Sequence, residues 1–508
     1  MRKLLHFKQQ HPFTTIFLIA LFLRLIAVIF SRGFGFDSEQ FTYVGVPNAW
    51  TDNVDYRLLD LRNNLSSKPE GISLFYFTIN YCWFGFLKYL GITSPTWLMF
   101  FSRLLHAMVS LLVVSFGYRI ADLIADKKTA WYSALILSAC WFMPYVSVHN
   151  IAAFACTPFL MYATLIIVRQ EVLRIAEFDE NLHRSSFMVA GFFLGLGFST
   201  WYQSILFIIG ILLALLFLKN IKASIITLIG IMLSIGIIEV IPDLIVWGEP
   251  FVEMKTFFKN STDYLFHITK TPWIYISIVT LILAFIPPAS FMLLFGFFKS
   301  AKKNLITFLP VLLFIIYYTI FPNKNEIYIL PAIPLFIITG TAGWFSFKDT
   351  SSFWCKNKPL HKYLWLFTGI VNFIVLFFTL TTYSNKAEVK SMQYISGFKD
   401  TDLIIIEDSN NNNYRRPAIF YAKYWPKYMV INKNNSIDDR LVEMSDRNVD
   451  FIIFRGKENL EKRVEVMTKH YPGIQYETTF EPSILDIFYK KIRGYQQNGS
   501  VIVYKCGK

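Results

Sequence analysis

The chain has 508 residues, of which 54% are hydrophobic and only 17% charged. A soluble domain carries about 25% charged residues, so a single water-soluble globule is excluded. The 49 basic and 35 acidic residues give a net charge of +14, but Lys and Arg cluster in short segments between apolar blocks. That is how orientation signals lie in a membrane protein, and it argues against a nucleic-acid-binding face.

The first element is the apolar run Pro12 to Phe30, behind the basic stretch MRKLLHFKQQ. No small-residue cleavage site follows, and further apolar runs do, so it reads as an uncleaved first span with a cytoplasmic N-terminus. Its Arg24 is expected to snorkel or to face the bundle interior. Ile274 to Phe298, Asn304 to Phe321 and Tyr363 to Tyr383 contain no Asp, Glu, Lys or Arg, which marks membrane helices. About eleven spans result, near 13–31, 98–123, 130–148, 151–168, 186–200, 202–218, 223–246, 272–298, 304–321, 327–346 and 363–383. They alternate with basic clusters such as Lys127 and Lys128, Lys219 and Lys222, or Lys299, Lys302 and Lys303, as the positive-inside rule requires. Segment Ile72 to Leu90 is apolar enough to cross, but as a span it would reverse every later loop. It is read as a helix on the outer face.

This sorting puts an outer loop at 31–96, turns near His149 and Trp201, the segment Gly248 to Thr271, and the turn Pro322 to Glu326 on one side. In GFDSEQF, Asp37 and Glu39 sit at the membrane edge. A carboxylate there can act as a general base or hold a divalent cation; the plain alternative is two solvated loop acids. Lys68, in KPEG, reads as a solvated lysine. In MPYVSVHNIAAF, His149 and Asn150 occupy a short turn, and a lone His there is not expected to be catalytic. Glu239 and Asp243 are four residues apart and share a helical face, with Pro242 between them as a source of kinking. They face a cavity or end a helix in the headgroup layer. Lys255, Lys259, His267 and Lys270, interleaved with aromatics, suit an amphipathic helix on an anionic surface or a pocket for a lipid phosphate. Lys324 and Glu326, in FPNKNEIYILPAIPL, lie between two spans. Such a lysine neutralises a phosphate leaving group or binds a headgroup.

After Ser384 the composition changes. Asp402 to Asp408, Val449 to Arg455 and Val501 to Lys505 read as strands, and Ser436 to Arg447 and Asn459 to Tyr471 as helices, with Ser436 and Asp439 as a capping pair. A small α/β domain over 385–508 is expected, following a transmembrane domain over 1–384. It has no GxGxxG, P-loop or nucleophile elbow, so its expected work is covering the active face, holding an acceptor, or structure alone. The chain has no HExxH, GxSxG or Walker motif, and Cys82, Cys140, Cys156, Cys355 and Cys506 show no metal or disulfide spacing.

The order of these patches resembles the GT-C superfold of membrane glycosyltransferases. Within it the chain is most similar to glycosyltransferase family 22, the mannosyltransferases serving GPI anchors and dolichol-linked oligosaccharides. FDSEQF resembles the family's HPDExFQ, with Glu39 and Phe41 in register. AGFFLGLGFSTWYQSILF resembles its G-x-x-LG-x-x-F-x-x-R-x-Q stretch at Gly191, Gly195, Phe198 and Gln203. IPDLIVWGEPF resembles its ID-x-x-FYG element at Asp243 and Gly248, and PWIY its PW-x-Y at Pro272, Trp273 and Tyr275. FPNKNEIYILPAIPL resembles its HKExRFIxPxxP at Lys324, Pro331 and Pro334. The pattern departs at Ser38, Asn323 and Asn325. It departs also at Trp201 and Ile327, where the family carries arginines, and at Val146 and Ala153, where only Asn150 remains of an Arg, Asn and Glu motif.

The resemblance implies a divergent bacterial enzyme of the cytoplasmic membrane with its site on the extracytoplasmic side. It would transfer a sugar, mannose by family, from a polyprenyl-phosphate carrier to a hydroxyl on a lipid-linked glycan or other glycoconjugate, with inversion. Asp37 or Glu39 would be the base. Lys324, with Lys259 or Lys270, would hold the phosphate, and Asn150, Gln203, Asp243 and Glu326 would contact substrate. The lipid tail would lie between spans. No cofactor is required by the pattern, although a divalent cation is compatible with it. No nucleic-acid partner is expected. The rival expectations are transfer of another sugar such as aminoarabinose, a flippase or transporter of lipid-linked sugar, and a non-catalytic scaffold. The one-sided polar loops and the absence of an internal repeat argue against transport.

Overall fold

The computed structural model describes residues 11–35, 37–61, 69–176, 184–266, 276–320, 326–411, 415–433, 448–492 and 499–507. In chain order, the elements begin with α1 (Pro12–Phe30), β1 (Arg32–Gly33), α2 (Asp37–Thr51), α3 (Leu74–Tyr89), α4 (Pro95–Ile124) and α5 (Lys127–Ala139). There follow α6 (Thr157–Ile175), α7 (Arg184–Thr200), α8 (Ile205–Phe217), α9 (Ile221–Ile235), α10 (Ile241–Trp247) and α11 (Val252–Phe266). Next come α12 (Ile276–Ala284), α13 (Ala289–Lys299), α14 (Leu305–Ile320), α15 (Ile333–Thr350) and α16 (Lys358–Leu380). The remainder is β2 (Tyr383–Ser384), α17 (Lys386–Ile395), β3 (Leu403–Asp408), β4 (Lys427–Asn432), β5 (Phe451–Arg455), α18 (Leu460–His470), β6 (Gln475–Phe480), α19 (Ile484–Ile492) and β7 (Val501–Lys505).

Among the described residues, six helical stretches are long and apolar enough to cross a membrane: 12–30, 95–124, 152–175, 221–247, 327–350 and 358–380. Three shorter apolar helices accompany them, at 202–217, 289–299 and 305–320. Several expected spans are therefore not single helices. The 130–148 stretch stops at Ala139, where Cys140 is extended, and resumes as one helical turn opened by Pro144. The 272–298 stretch breaks between Ala284 and Ala289 at Pro287 and Pro288, which have no N–H to donate. The 223–246 stretch, by contrast, stays helical throughout, passing through a π-helical turn, Gly236–Val240, just before Pro242. Hydropathy counts apolar residues; helix continuity depends on backbone donors, so prolines divide what composition joins. Segment 74–89 is a helix, shorter than these spans.

Contacts sort the described chain into two compact units. The first is Met1–Ala27, Pro69–Tyr76 and Leu104–Leu380; the second is Val28–Lys68, Phe77–Arg103 and Thr381–Lys508.

The first unit is a helical bundle held by close backbone approach. A Cβ on Gly191 of α7 would lie 2.0 Å from the Thr227 carbonyl oxygen of α9, and one on Gly230 would lie 2.1 Å from the Met188 oxygen. Gly296 of α13 and Gly343 of α15 meet in the same manner, with a Gly343 Cβ 1.9 Å from the Gly296 oxygen. Apolar helices in lipid gain little from hydrophobic burial, so small residues that admit dispersion contact decide where they touch. The break after α5 is sealed by the polar residues of α16. Asn372 accepts from the Trp141 N–H at 2.9 Å and donates to the Ala139 carbonyl at 2.7 Å, and Thr379 donates to the Trp141 carbonyl at 2.8 Å. Arg24 is fully buried and faces the interior, donating to Ser110 Oγ at 2.7 Å and to the Ala20 carbonyl at 3.3 Å.

The second unit contains a five-stranded sheet ordered β4-β3-β5-β7-β6. β4, β3 and β5 run parallel, and β7 is antiparallel to both its neighbours. β3, β5 and β7 match the expected strands, and α18 the expected helix at 459–471. The expected helix at 436–447, with its Ser436 and Asp439 cap, lies outside the described residues. β4 and β6 were not anticipated: β4 starts just after Trp425 and Pro426, and β6, QYETTF, is a polar edge strand. Behind the sheet, Leu403, Ile405, Met429, Ile452, Phe454 and Met467 form a core. Buried charges at the carboxyl ends of β3 and β5 are paired. Arg463 binds Glu407, while Arg455 binds Glu388 at 2.5 Å and Asp408 at 3.3 Å, and Arg415 adds to Asp408 at 3.1 Å. Removing one partner of such a pair costs about 3–5 kcal/mol.

Two expectations follow. Gly191→Leu should abolish the monodisperse size-exclusion peak of detergent-extracted protein, whereas Gly369→Ala, where a Cβ meets nothing within 4 Å, should leave it intact. The second concerns acid. Burial by itself would raise the Asp408 carboxyl, but the guanidiniums of Arg455 and Arg415 outweigh it and hold the group below its ordinary value. Its stabilisation is therefore present above the unfolded value of about 4 and is lost as pH falls through the lower folded value. Hydrogen exchange of β3 should accelerate across that window in the wild type. In Asp408→Asn, β3 should be less protected at neutral pH and respond less to acid.

Candidate functional site

In the first unit the site grows from three buried carboxylates in and after the π-helical turn. Glu239 lies within that turn and Asp243 one helical turn later, so both project from one side. Glu239 accepts from Ser73 Oγ and from the Tyr202 hydroxyl, each at 2.6 Å. Asp243 accepts from the Glu253 backbone N–H at 3.2 Å, satisfying a donor in the first turn of α11. Glu253 itself accepts from the N–H groups of Gly71 and Ile72, at 2.7 and 3.2 Å. All three are nearly inaccessible, at 2%, 1% and 2% exposure. Together they join the 69–76 segment, the 201–204 turn, the π turn and the start of α11. Gly71 is required here. Its φ is +75°, and a Cβ would stand 2.8 Å from the Phe257 backbone nitrogen.

The 201–204 turn is a joint with two sides. Tyr202 packs at a tilt against Phe257 of α11 with ring centroids 5.2 Å apart, and Trp201 meets Tyr328 at 6.0 Å. Tyr328 belongs to the 3₁₀ turn Glu326–Ala332, which packs against the helical turn Ala152–Ala155 just after Asn150. Of the expected substrate contacts, Asn150, Gln203, Asp243 and Glu326 all lie in or beside these connected turns. Asn150 and Asp243 are buried, and Gln203 is half-buried. Glu326 opens its 3₁₀ turn. His149 is buried with its ring 4.5 Å from that of Tyr145.

Four positions where the resembled pattern carries charge are apolar here, and all are buried: Val146, Ala153, Trp201 and Ile327. Trp201 lies nearly parallel to Phe314, at 16°. An arginine introduced alone among these buried side chains would be an unpaired charge.

Lys259 is exposed on α11. Lys324, Lys270, His267 and Lys68 lie outside the described residues, as does the PWIY patch at 272–275. Among the described residues no three His, Cys, Asp or Glu side chains converge as a metal-ligand set.

Asp37 and Glu39 belong to the second unit and fall in the first turn of α2. The approach to that turn is built tightly. Gln40 accepts from the Gly35 N–H at 3.1 Å, and Asn385 donates to the Phe34 carbonyl at 2.7 Å. The Phe34 ring lies 4.4 Å from Phe41 and 5.3 Å from Tyr421. At the far end of α2, Lys88 pairs with Asp52 at 2.7 Å and donates to Thr51 at 2.8 Å. Sequence reasoning passed over Ser73, Tyr202 and Glu253. The one local signal for them was Gly71, a turn residue two positions before Ser73.

The described fold and motifs agree with known proteins. The chain is similar in structure to ArnT from Cupriavidus metallidurans bound to undecaprenyl phosphate, at 10% identity over 98% of each chain and a TM-score of 0.60. It is also similar to the archaeal oligosaccharyltransferase AglB from Archaeoglobus fulgidus, in complex with an inhibitory peptide and a dolichol-phosphate. That likeness has 9% identity, covers 94% of this chain and 74% of the other, and has a TM-score of 0.53. At such identities the likeness is one of fold, and the fold is the GT-C type implied by the motifs. No curated protein sequence matches the chain. The family model of the Alg9-like mannosyltransferases matches residues 15–421, and the chain therefore belongs to the Alg9-like mannosyltransferase family and is a multi-pass membrane glycosyltransferase.

Proposed function

We propose that this enzyme transfers a hexose from a polyprenyl-phosphate carrier to a hydroxyl of a lipid-linked glycan or related glycoconjugate. Mannose is the first candidate for the sugar. The observation that carries the reading is the first turn of α2, where Asp37 and Glu39 directly follow the first span in a turn braced on both sides. The ligands in the two similar structures, undecaprenyl phosphate and dolichol-phosphate, support the donor class.

In this reading Asp37 or Glu39 takes the proton of the acceptor hydroxyl. The freed oxygen attacks the anomeric carbon from the face opposite the phosphate, forming a glycosidic C–O bond as the anomeric C–O bond to phosphate breaks. The carrier leaves as polyprenyl phosphate, with the new negative charge met by Lys324, assisted by Lys259 or Lys270. Asn150, Gln203, Asp243 and Glu326 contact substrate. The lipid tail lies between spans. The site faces the extracytoplasmic side of a bacterial cytoplasmic membrane, with residues 1–384 as the transferase domain and 385–508 as an extracytoplasmic α/β domain.

The four buried apolar positions Val146, Ala153, Trp201 and Ile327 favour a second sugar reading. In the resembled pattern the charged residues at these positions bear on donor or acceptor recognition, so a sugar other than mannose, such as an aminoarabinose, is the second reading. Labelled polyprenyl-phosphate mannose and polyprenyl-phosphate aminoarabinose, offered to the purified enzyme with a lipid extract of the source cells, decide between the two. The double variant Asp37→Asn with Glu39→Gln should lower transfer by about 10²-fold or more. Undiminished transfer by that variant would remove the base assignment, and lipid flux across vesicles without a covalent product would replace catalysis by transport.

A further inference from the structure

The second unit fastens α2 from its C-terminal portion at two places. Near the start of the helix, Arg416 Nη1 donates to Thr42 Oγ1 at 3.3 Å. Thr42 is three residues beyond Glu39, so the two share a helical face. Just past the end of the helix, the Trp425 indole N–H donates to Asp52 Oδ2 at 2.8 Å, the same carboxylate that Lys88 grips. Between these points the buried turn Ile419–Ala422 packs against α2.

Two features make the first fastening more than decoration. Pro47 lies inside α2 and brings no N–H of its own to the helical ladder. One ladder bond fewer therefore joins the first turns of α2 to the rest of the helix. The backbone that presents Arg416 is itself anchored to the sheet. Arg455 donates to the Arg415 carbonyl at 2.8 Å and to the Arg416 carbonyl at 3.5 Å while paired with Glu388 and Asp408. Arg416 is therefore the end of a strut that runs from β5 to the Glu39-bearing face of α2, and it is a cation at every working pH.

We propose that Arg416 is a positioning residue of the transfer reaction, holding the Glu39-bearing face of α2 in register for proton abstraction. The α/β domain then takes part in catalysis through this side chain. The inference rests on the reading of Asp37 and Glu39 as the base.

The test uses full-length enzyme in detergent with saturating acceptor lipid extract and varied polyprenyl-phosphate sugar. Arg416→Ala should lower kcat about 10- to 100-fold, as a displaced catalytic group does, with KM for the donor within about twofold. Hydrogen exchange should quicken over residues 38–46. Arg416→Lys, which keeps the charge and a donor, should recover most of the rate. Where Arg416→Ala does not fold, Thr42→Val removes the acceptor and should reproduce the kcat loss. A kcat within about twofold of wild type, unchanged exchange, or a lysine variant no better than alanine would each overturn the proposal. Failure of the underlying reading looks different: Asp37→Asn with Glu39→Gln would remain active. If that double variant is dead and Arg416→Ala is fully active, the positioning role alone is lost.

Discussion

The first unit depends on how three carboxylates are satisfied where water is scarce. A buried carboxyl group costs free energy unless hydrogen bonds replace its water shell. Glu239, Asp243 and Glu253 meet that demand with donors from different parts of the chain: a serine and a tyrosine hydroxyl, one N–H at the start of α11, and two N–H groups of the 69–76 segment. Each acid thereby fixes the position of a segment that apolar packing would leave free to slide.

The same requirement explains the broken helices. In hydrocarbon a backbone group without a partner is expensive, so helices interrupt only where something else supplies the bond. Asn372 and Thr379, polar residues in the apolar second half of α16, supply it at the end of α5. Glycines do the complementary work. Gly191 and Gly230, then Gly296 and Gly343, bring backbones to within contact distance, and the glycines of the AGFFLGLGF motif thereby acquire a packing reason.

In the second unit, a sheet with buried ion pairs at the carboxyl ends of β3 and β5 also carries the contacts that brace α2. Arg455 is central, since its guanidinium pairs with two acids and holds two carbonyls of the 415–416 backbone. Asp408, kept ionised by its arginines, links the stability of the domain to the segment that reaches α2.

The sequence by itself determined the class of this protein: charge-free apolar runs, basic clusters between them, a closing α/β pattern, and motif order sufficient to imply the GT-C fold. These are local or periodic properties, written in composition and in spacings of two or about four residues. β3, β5, β7 and α18 were legible for the same reason, and the i, i+4 relation of Glu239 and Asp243 was as well. Tertiary structure decided what each acid touches. The partners of Glu239 lie 166 and 37 residues away, and Arg416 reaches Thr42 across 374 residues. No periodicity encodes such pairings, because they depend on where proline interrupts a helix and on which glycines let helices approach.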